Sequence, residues 1–341
     1  LRGAKPGPKI AIRADMDALP VSEEIDLPFA SKVRSTYGGK DVGVMHACGH
    51  DAHTAMTLGV ASALAGMKNE LAGEVMMIFQ PAEEGPPPGE KGGASRMLAE
   101  GLFADFKPEA VFGMHVFYTL HAGQIGVREG PLLAGSDRFH ISVIGRQTHG
   151  AQPWRGVDPV VTGAAIVSQA QTIVSRQIDI SRLPAVVSFG IFQSGVRYNI
   201  VPDRAELEGT IRTFDESMRQ DVFARLKRTA ENVASAQGAR VEVEIPADVG
   251  NPVTVNDPAL TRRTRISLEH AVGEENVIDM PPNMVAEDFA YYAKEVPGMY
   301  FLVGSVSPTQ DLASAAPNHS PKFFLDEAAL TVGMRAMLQV A

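Results

Sequence analysis

The segment AHTAMTLGVASALAG (residues 52–66), followed by EVMMIFQ (74–80), carries the strongest fold signal in the chain. The first part is rich in Ala, Leu and Met and predicts a buried helix. The second part is a continuous apolar run, which is typical of an interior strand. KIAIRAD (9–15) before them and EAVFGMHV (109–116) after them also have the composition of strands. Strands that alternate with helices predict a parallel or mixed sheet with covered faces.

The middle of the chain has a different order of elements. Asp158 and Pro159 are suited to begin a helix there, as a cap and a first-turn proline. The predicted elements are a strand at 137–145, a helix at 158–175, strands at 185–192 and 204–214, a helix at 216–236 and a strand at 241–245. This β-α-β-β-α-β order predicts a ferredoxin-like α+β unit, with one sheet layered by two helices. We place this domain at residues 129–249.

The last part of the chain returns to alternating strands and helices. The predicted elements are helices at 257–272, 286–296 and 326–340 and an apolar strand at 298–305. The simplest topology is a discontinuous α/β domain of residues 1–128 and 250–341, with the smaller domain inserted. Its sheet is expected to be mixed and mostly parallel, with helices on both faces.

Composition excludes several classes of protein. Of the 341 residues, 45% are hydrophobic and 21% charged, which is ordinary for a globular chain. The net charge of −9 argues against nucleic acid or an anionic membrane as a partner. No apolar run approaches the roughly 18 residues of a membrane span. Cys48 is the only cysteine, so we expect no internal disulfide and a cytoplasmic location. Because a strand begins almost at Leu1, we expect an N-terminal segment to be missing.

One short segment, MHACGHDAH (45–53), contains the cysteine and three of the nine histidines. Cys48 and His50 lie at the predicted start of a helix, where the helix N-terminus should lower the pKa of a thiol. Thiolate and imidazole ligands together suit a transition metal better than Mg or Ca. The alternative is a polar loop in which these residues occur together by chance.

Further candidate ligands follow predicted strands. Glu83 and Glu84 come after an apolar strand, at the edge where open α/β sheets place their sites. Adjacent carboxylates can divide the work between metal binding and proton transfer, although a solvated loop is the simpler explanation. His115 ends the next apolar run, where a lone histidine is often structural. His319 lies between two prolines in a loop.

Two aspartates end the first predicted strand. Asp15 and Asp17 lie in RADMDALP (13–20), where each could instead cap a helix or form a turn. Asp288 is placed where a carboxylate at the start of a helix is expected anyway. No single one of these residues is decisive, but Cys, His and Glu together at strand ends are a much stronger signal of a metal site.

The sequence resembles the dinuclear-metal aminoacylase and carboxypeptidase family, in its hippurate hydrolase and auxin-conjugate amidohydrolase branch. The segments that carry the resemblance occur in the family's order and cover nearly the whole chain. They are RADMDALP, HACGHDAH, FQPAEEG, GMHV, THGAQP, RYNIVPD, GTIRTF, AEDFAYY and NHSP. The resemblance implies a catalytic α/β domain and a smaller inserted domain that dimerises, and hence a homodimer or a higher homo-oligomer.

The resemblance also implies residue roles. Five residues match ligands of two divalent transition-metal ions (Mn, Zn, Ni or Co), with Cys48 bridging them: Cys48, His50, Glu84, His115 and His319. Glu83 matches the general base, and Asp17 matches the carboxylate that orients a metal ligand. His149 resembles the histidine that reaches a partner subunit's active site. Asn199 and Arg212 match positions that contact the carboxylate side of the substrate.

The implied reaction is hydrolysis of the amide bond of N-acyl amino acids, amino-acid conjugates or small peptides by a metal-activated water. Three alternatives remain open. Glu83 and Glu84 could exchange their roles. Cys48 could be the nucleophile of a cysteine hydrolase, with a histidine as its base. The chain could also be a metal-binding or dimerising protein without catalysis.

Overall fold

The computed structural model describes residues 1–87 and 90–341 and divides the chain into two compact units. The first unit consists of Leu1–Leu132, Thr254–Pro281 and Asp288–Ala341. The second unit consists of Leu133–Val253 and Pro282–Glu287. The limits expected from the sequence, 129 and 249, each lie four residues before these. Residues 282–287, which the sequence assigned to the larger domain, belong to the second unit.

The described residues form the following strands and helices. The first unit begins with β1 (Lys5–Asp15), β2 (Arg34–Tyr37), β3 (Lys40–Gly43), α1 (His50–Gly66), β4 (Ala72–Gln80), α2 (Gly93–Ala99), β5 (Ala110–His121), β6 (Ile125–Val127) and β7 (Gly130–Leu133). The second unit contains β8 (Gly135–Ile144), β9 (Thr148–His149), α3 (Pro159–Thr172), β10 (Val186–Ser194), β11 (Ile200–Val201), β12 (Arg204–Thr213), α4 (Glu216–Ala236) and β13 (Arg240–Glu244). The first unit ends with β14 (Thr254–Asn256), α5 (Pro258–Val272), β15 (Val277–Asp279), α6 (Ala290–Glu295), β16 (Gly298–Val306) and α7 (Ala328–Val340).

The first unit is built on a six-stranded sheet in the order β15-β6-β16-β5-β1-β4. All neighbouring strands run parallel except β6 and β16, which are antiparallel. The predicted mixed, mostly parallel sheet is therefore confirmed.

Helices cover both faces of this sheet. Every residue of β16 is buried, which requires cover on both sides because successive side chains point to opposite faces. Helix α7 packs against both α1 and α5, and α2 packs against α6. Ile12, Met56 and Phe301 are examples of the core between the sheet and the first group of helices. The near-continuous apolar runs of these strands follow from this double burial.

The second unit is an antiparallel sheet in the order β10-β12-β8-β13. Phe139 and Leu207 on one face pack with Ile166 of α3 and Leu226 of α4 in a single hydrophobic cluster. The alternate residues of β8 and β12 form ion pairs, such as Arg138 with Glu208. The alternating sequence of these strands thus gives one buried face and one charged face, as expected for a ferredoxin-like unit.

Aspartates begin three of the long helices. The side chain of Asp158 accepts hydrogen bonds from the amides of Val160 and Val161, and Pro159 lies in the first turn of α3. Asp215 and Asp257 cap α4 and α5 in the same way. The predicted start of α3 is therefore confirmed.

Two predictions about element ends are wrong. Helix α6 begins at Ala290 rather than 286, because the carboxylate of Asp288 is used elsewhere. It is buried and accepts hydrogen bonds from the side chains of Arg13 and Gln80 and from the amide of Ala94. Strand β5 continues to His121, so His115 lies inside the strand and does not end it.

In residues 1–87 and 90–341, none of the helices combines the length and hydropathy that a membrane crossing requires.

Candidate metal centre

The candidate centre lies in the first unit, at the carboxyl edge of the large sheet. Strand β1 ends at Asp15, and β4 ends at Gln80, three residues before Glu83. Strand β5 continues past the last residue that is paired with β1, and His115 lies in this extension. Ligand sites of open α/β sheets form at this edge because the strand ends leave a crevice there.

A glycine allows the loop that carries Cys48 to lie close to strand β5. Helix α1 begins at His50, and Gly49 before it has a left-handed φ of 85°. A Cβ atom at Gly49 would lie 2.3 Å from a methyl carbon of Val116. Only glycine allows both this backbone conformation and this close approach to β5. Cys48 is thereby held against the strand that carries His115.

The five side chains predicted as metal ligands converge. The Sγ atom of Cys48 lies 3.3 Å from Nε2 of His115 and 3.2 Å from Nε2 of His319. The same Nε2 atom of His319 lies 2.8 Å from Oε1 of Glu84. Donor atoms of Cys48, His50 and Glu84 all lie within 4.8 Å of one another. A thiol, three imidazoles and a carboxylate thus surround one small region.

Asp17 forms hydrogen bonds both with His50 of α1 and with the backbone of the two glutamates after β4. Its Oδ1 atom accepts a hydrogen bond from Nδ1 of His50 at 3.2 Å and one from the amide of Glu83 at 3.1 Å. Its Oδ2 atom accepts from the amide of Glu84 at 3.1 Å. Burial opposes ionisation, but the hydrogen bond from His50 and the two amides lower the pKa of Asp17. One carboxylate therefore orients a histidine and fixes both glutamates' backbone.

The protein groups around the centre make its surroundings anionic. Although burial disfavours its charge, Asp15, Asp17 and Glu84 raise the pKa of His50 to about 9. Burial and the carboxylates of Glu84 and Glu83 raise the pKa of the Cys48 thiol. The sequence predicted that the helix N-terminus lowers the pKa of Cys48. With the protein groups alone this prediction is wrong, because burial and the nearby negative charges outweigh the effect of the helix N-terminus. A thiolate at this position requires a cation beside it.

The donor set fits a transition metal. The Nε2 atom of His50 is buried and makes no hydrogen bond with any described residue, although its ring is held by Asp17. An orphaned, oriented nitrogen of this kind is what a metal-binding histidine presents. Thiolate, imidazole and carboxylate donors suit Zn, Ni, Co or Mn.

Two residues beside the centre have an unusual backbone. Ala82 has φ 56° and His319 has φ 71°, both in the left-handed region that non-glycine residues seldom adopt. Ala82 precedes Glu83, and His319 is itself a predicted ligand. Such conformations cost free energy and persist where the surrounding structure imposes them, often at functional sites. His319 is held by a hydrogen bond from its amide to the carbonyl of Ala47 at 2.7 Å.

The sequence analysis missed one residue that joins two loops and strand β5. Nδ2 of Asn318 donates to the carbonyls of Cys48 and Val116, both at 3.2 Å, and lies 3.9 Å from the Cys48 Sγ atom. Asn318 directly precedes His319 in the NHSP segment, and this position could have indicated its role. Asn318 thus links the segments that carry three predicted ligands, Cys48, His115 and His319.

In the second unit, two predicted substrate residues lie side by side. His149 of β9 pairs with Ile200 of β11, and the amide of Gly150 donates to the carbonyl of Asn199 at 2.8 Å. Together with Arg197 these residues line a cavity of about 520 Å³. The Oδ1 atom of Asn199 is buried without a hydrogen-bond partner among the described residues. Arg197 was not singled out from the sequence.

Arg212 lies elsewhere in the second unit. It is on β12, paired with Val186 of β10 and with Ser136 of β8. It is half-buried, and burial lowers the pKa of its guanidinium. Arg212 does not line the cavity of His149 and Asn199.

The fold and this cluster of donors are typical of a metal-dependent hydrolase. Comparison with known proteins makes the assignment specific. The chain belongs to Peptidase family M20/M25/M40, whose sequence pattern matches residues 11–341. The family resemblance found from the sequence is therefore confirmed.

Several relatives match almost the whole chain. Thermostable carboxypeptidase 2 of Saccharolobus solfataricus is 40% identical over 336 residues, which cover 98% of this chain and 80% of that protein. N-acetylcysteine deacetylase of Bacillus subtilis is 40% identical over 345 residues, covering 100% of this chain and 83% of that protein. A crystal structure described as a dinuclear metal binding peptidase from the M20 family, also from Bacillus subtilis, has a TM-score of 0.79 at 36% identity. It covers 100% of this chain, which spans 82% of that one.

Proposed function

We propose that this protein hydrolyses the amide bond of N-acyl amino acids, amino-acid conjugates or small peptides, with Glu83 as the general base. The observation that carries the proposal is the convergence of Cys48, Glu84 and His319, in which Nε2 of His319 lies 3.2 Å from Sγ of Cys48 and 2.8 Å from Oε1 of Glu84. Glu83 is the neighbouring carboxylate, and its backbone is held by Asp17.

The metal ligands in this proposal are Cys48, His50, Glu84, His115 and His319. Two imidazoles lie close to the sulfur of Cys48, one from strand β5 and one from the loop of His319, so in this proposal the thiolate would help to hold both ions. When bound, such a pair of ions supplies an activated water and polarises the carbonyl of the amide. Which of Zn, Ni, Co or Mn is native is open to direct metal analysis.

The protein's own groups move the proton. Glu83 accepts a proton from the attacking water and delivers it to the leaving nitrogen, so the same carboxylate serves as base and then as acid. Asp17 accepts hydrogen bonds from the backbone amides of Glu83 and Glu84, which fixes the backbone from which the two carboxylates extend. No covalent enzyme intermediate is needed.

The resemblance assigns His149, Asn199 and Arg212 to the substrate. The cavity that His149 and Asn199 both line supports a binding role for these two residues. The Nδ1 atom of His149 accepts a hydrogen bond from the amide of Ala151 at 3.0 Å. Its proton is therefore on Nε2, which can donate to a developing oxyanion. Arg212 would contribute a charge-assisted contact to a substrate carboxylate.

A cysteine hydrolase fits less well. A nucleophilic cysteine needs a lowered pKa, supplied by positive neighbours. Here burial and the carboxylates of Glu84 and Glu83 raise the pKa of the Cys48 thiol. Metal binding explains the same cluster without this conflict. A site of this kind also needs a reduced thiol, and we propose the cytoplasm as its compartment.

The assignment of the two glutamates is tested by Glu83→Gln and Glu84→Gln. We expect Glu83→Gln to keep the metal content and to lose turnover by about 10²- to 10⁴-fold, because it removes only the proton acceptor. Glu84→Gln should lose metal in proportion to activity. The measurements are metal analysis and initial rates on a panel of N-acetyl and N-benzoyl amino acids. The reverse pattern would exchange the two roles.

Chelation separates the remaining alternatives. EDTA or phenanthroline should abolish activity, and added metal should restore it. Activity that survives complete metal removal would favour the cysteine hydrolase. A wild-type protein with full metal content and no activity on any substrate of the panel would favour a binding protein without catalysis.

A further inference from the structure

We propose that His53 is not a metal ligand but a positioning residue, which fixes the backbone that aims His115 at the centre. The observation is that both ring nitrogens of His53 are already engaged, one by Asp15 and the other by a backbone amide of β5. The inference deepens the proposed function and rests on it in treating His115 as a ligand.

Distance alone would make His53 a candidate ligand. Donor atoms of Asp15, His50, His53 and His115 lie within 4.8 Å of one another, and all four residues are buried. The rings of His53 and His115 are 4.5 Å apart between centroids. His53 also follows His50 by three positions on α1, so both project from the same face of the helix.

The hydrogen bonds of His53 exclude a metal on either nitrogen. The amide of Val116 donates to Nε2 at 2.8 Å, so Nε2 carries no proton and its lone pair is occupied. Nδ1 lies 2.5 Å from Oδ1 of Asp15, which accepts its proton. His53 is therefore the Nδ1-protonated tautomer, locked by an amide donor on one side and a carboxylate acceptor on the other.

Asp15 is itself held in place. Nη1 of Arg13 donates to its Oδ2 atom at 2.7 Å, and neither side chain is exposed. The other end of the guanidinium reaches Asp288 at 2.9 Å. With Arg13 donating to Oδ2, the Oδ1 atom of Asp15 accepts the proton of His53 Nδ1 and so selects the tautomer.

The engaged amide belongs to the segment that carries His115. Strand β1 pairs with β5 only as far as Arg13 and Gly113, so none of the described strands accepts from the amide of Val116 on that side. Nε2 of His53 accepts the hydrogen bond from the Val116 amide that a neighbouring strand would otherwise accept. The carbonyl of Val116 accepts from Nδ1 of His115 at 2.7 Å, which leaves Nε2 of His115 directed at Cys48. The chain of contacts from Arg13 to His115 is continuous.

The first test measures the tautomer directly. Metal-free wild-type protein labelled with ¹⁵N-histidine is examined by NMR, before and after Zn²⁺ is added. We expect the histidine signal that vanishes in His53→Gln to come from a ring protonated on Nδ1 and not on Nε2, and to keep its ¹⁵N shifts when zinc is added. A proton on Nε2 of His53, or zinc-induced shifts like those of the ligand histidines, would overturn the proposal.

The second test measures zinc affinity by competition with a chelator. His53→Phe removes both hydrogen bonds and should weaken affinity about 10- to 100-fold, as loss of an orienting partner does. His53→Gln, whose amide oxygen can accept from Val116, should recover part of this loss and bind the same number of ions. His270→Gln, an exposed histidine on α5, is the matched control.

Two results of the affinity test would contradict the proposal. One is a wild-type affinity in both His53 variants, and the other is the loss of one bound ion in His53→Gln. If His53→Phe does not fold, His53→Gln and the tautomer measurement still decide. A wild-type protein that binds no metal would count against the proposed function, while the tautomer of His53 would be decided separately.

Discussion

A single carboxylate, Asp17, accepts three hydrogen bonds at the candidate centre, from the ring of His50 and the amides of Glu83 and Glu84. This geometry makes Asp17 a residue whose loss acts on several ligands at once. Carboxylates of this kind raise the basicity of a metal-bound imidazole and hold its orientation.

We therefore predict that Asp17→Asn weakens metal affinity about 10- to 100-fold. The side-chain amide of asparagine has only one acceptor oxygen. Its NH₂ group would face at least one of the three N–H groups that now donate to Asp17. Asp51→Asn, an exposed change on the first turn of α1, removes the same charge near His50 and is the control. Competition with a chelator measures both. Equal affinities in the two variants would show that only charge matters.

Residue identities at the centre could be predicted from the sequence, but their environments could not. The strings HACGHDAH and NHSP named Cys48 and His319, because thiol and imidazole are chemically distinctive. The raised pKa of the Cys48 thiol arises from Glu84 and Glu83, which come from another strand end. The same holds for Asp288, whose partner Arg13 is 275 residues away in the chain. Interactions between residues that are distant in the sequence cannot be predicted from a short local motif.

At the scale of elements, the caps can be tested one at a time. The side chain of Asp215 accepts from the amide of Met218 at 2.9 Å at the start of α4. We predict that Asp215→Ala lowers the free energy of unfolding by about 1 kcal/mol. Urea unfolding followed by circular dichroism measures this, with Glu231→Ala on the exposed side of α4 as the control.

The effect of Asp215→Ala should depend on pH. Hydrogen bonds from Ser217 and Met218 lower the pKa of Asp215, so its carboxylate is favoured in the folded state. A lowered pKa stabilises the fold above the unfolded value of about 3.9, and the gain is lost as pH falls through the folded value. The difference between Asp215→Ala and wild type should therefore shrink from pH 7 to about pH 3. A constant difference would show that the cap does not act through its charge.

The elements that the sequence predicted well have long and regular patterns. Helix α4 and strands β1, β4 and β16 agree with their predicted positions to within four residues at each end. The hairpin of β2 and β3 was missed because its residues are mostly polar and exposed and show no alternation. Strands β6, β14 and β15 have only three residues each, and their pairing depends on distant neighbours. Their local sequence therefore contains too little information.

At the scale of the whole molecule, one surface of the second unit is unusually apolar for an exposed region. Strand β10 is an edge strand, and its Ile191 and Phe192 are exposed. In the loop that follows, Val196 and Tyr198 are 101% and 96% exposed. An open strand edge with apolar side chains favours association. We propose that a second copy of this chain covers this surface, as the family resemblance implies.

This proposal predicts a particle of about twice 36.4 kDa. Val196→Asp combined with Tyr198→Asp should shift the protein toward the monomer, because charges are costly to bury in an apolar contact. Val249→Asp, in a residue that is 80% exposed after the opposite edge strand β13, is the control. Light scattering after size exclusion measures the mass. A wild-type monomer at micromolar concentration would contradict the proposal.

The position of β16 has a consequence for the protein's synthesis. This strand lies between β5 and β6, yet the ribosome makes it about 180 residues after β5. At ordinary elongation rates this is a delay of roughly 10–40 s. During that time β5, whose first eight residues are buried in the finished protein, has no neighbour on one side. The nascent chain thus exposes an apolar strand edge of the kind that chaperones bind, until β16 has been translated.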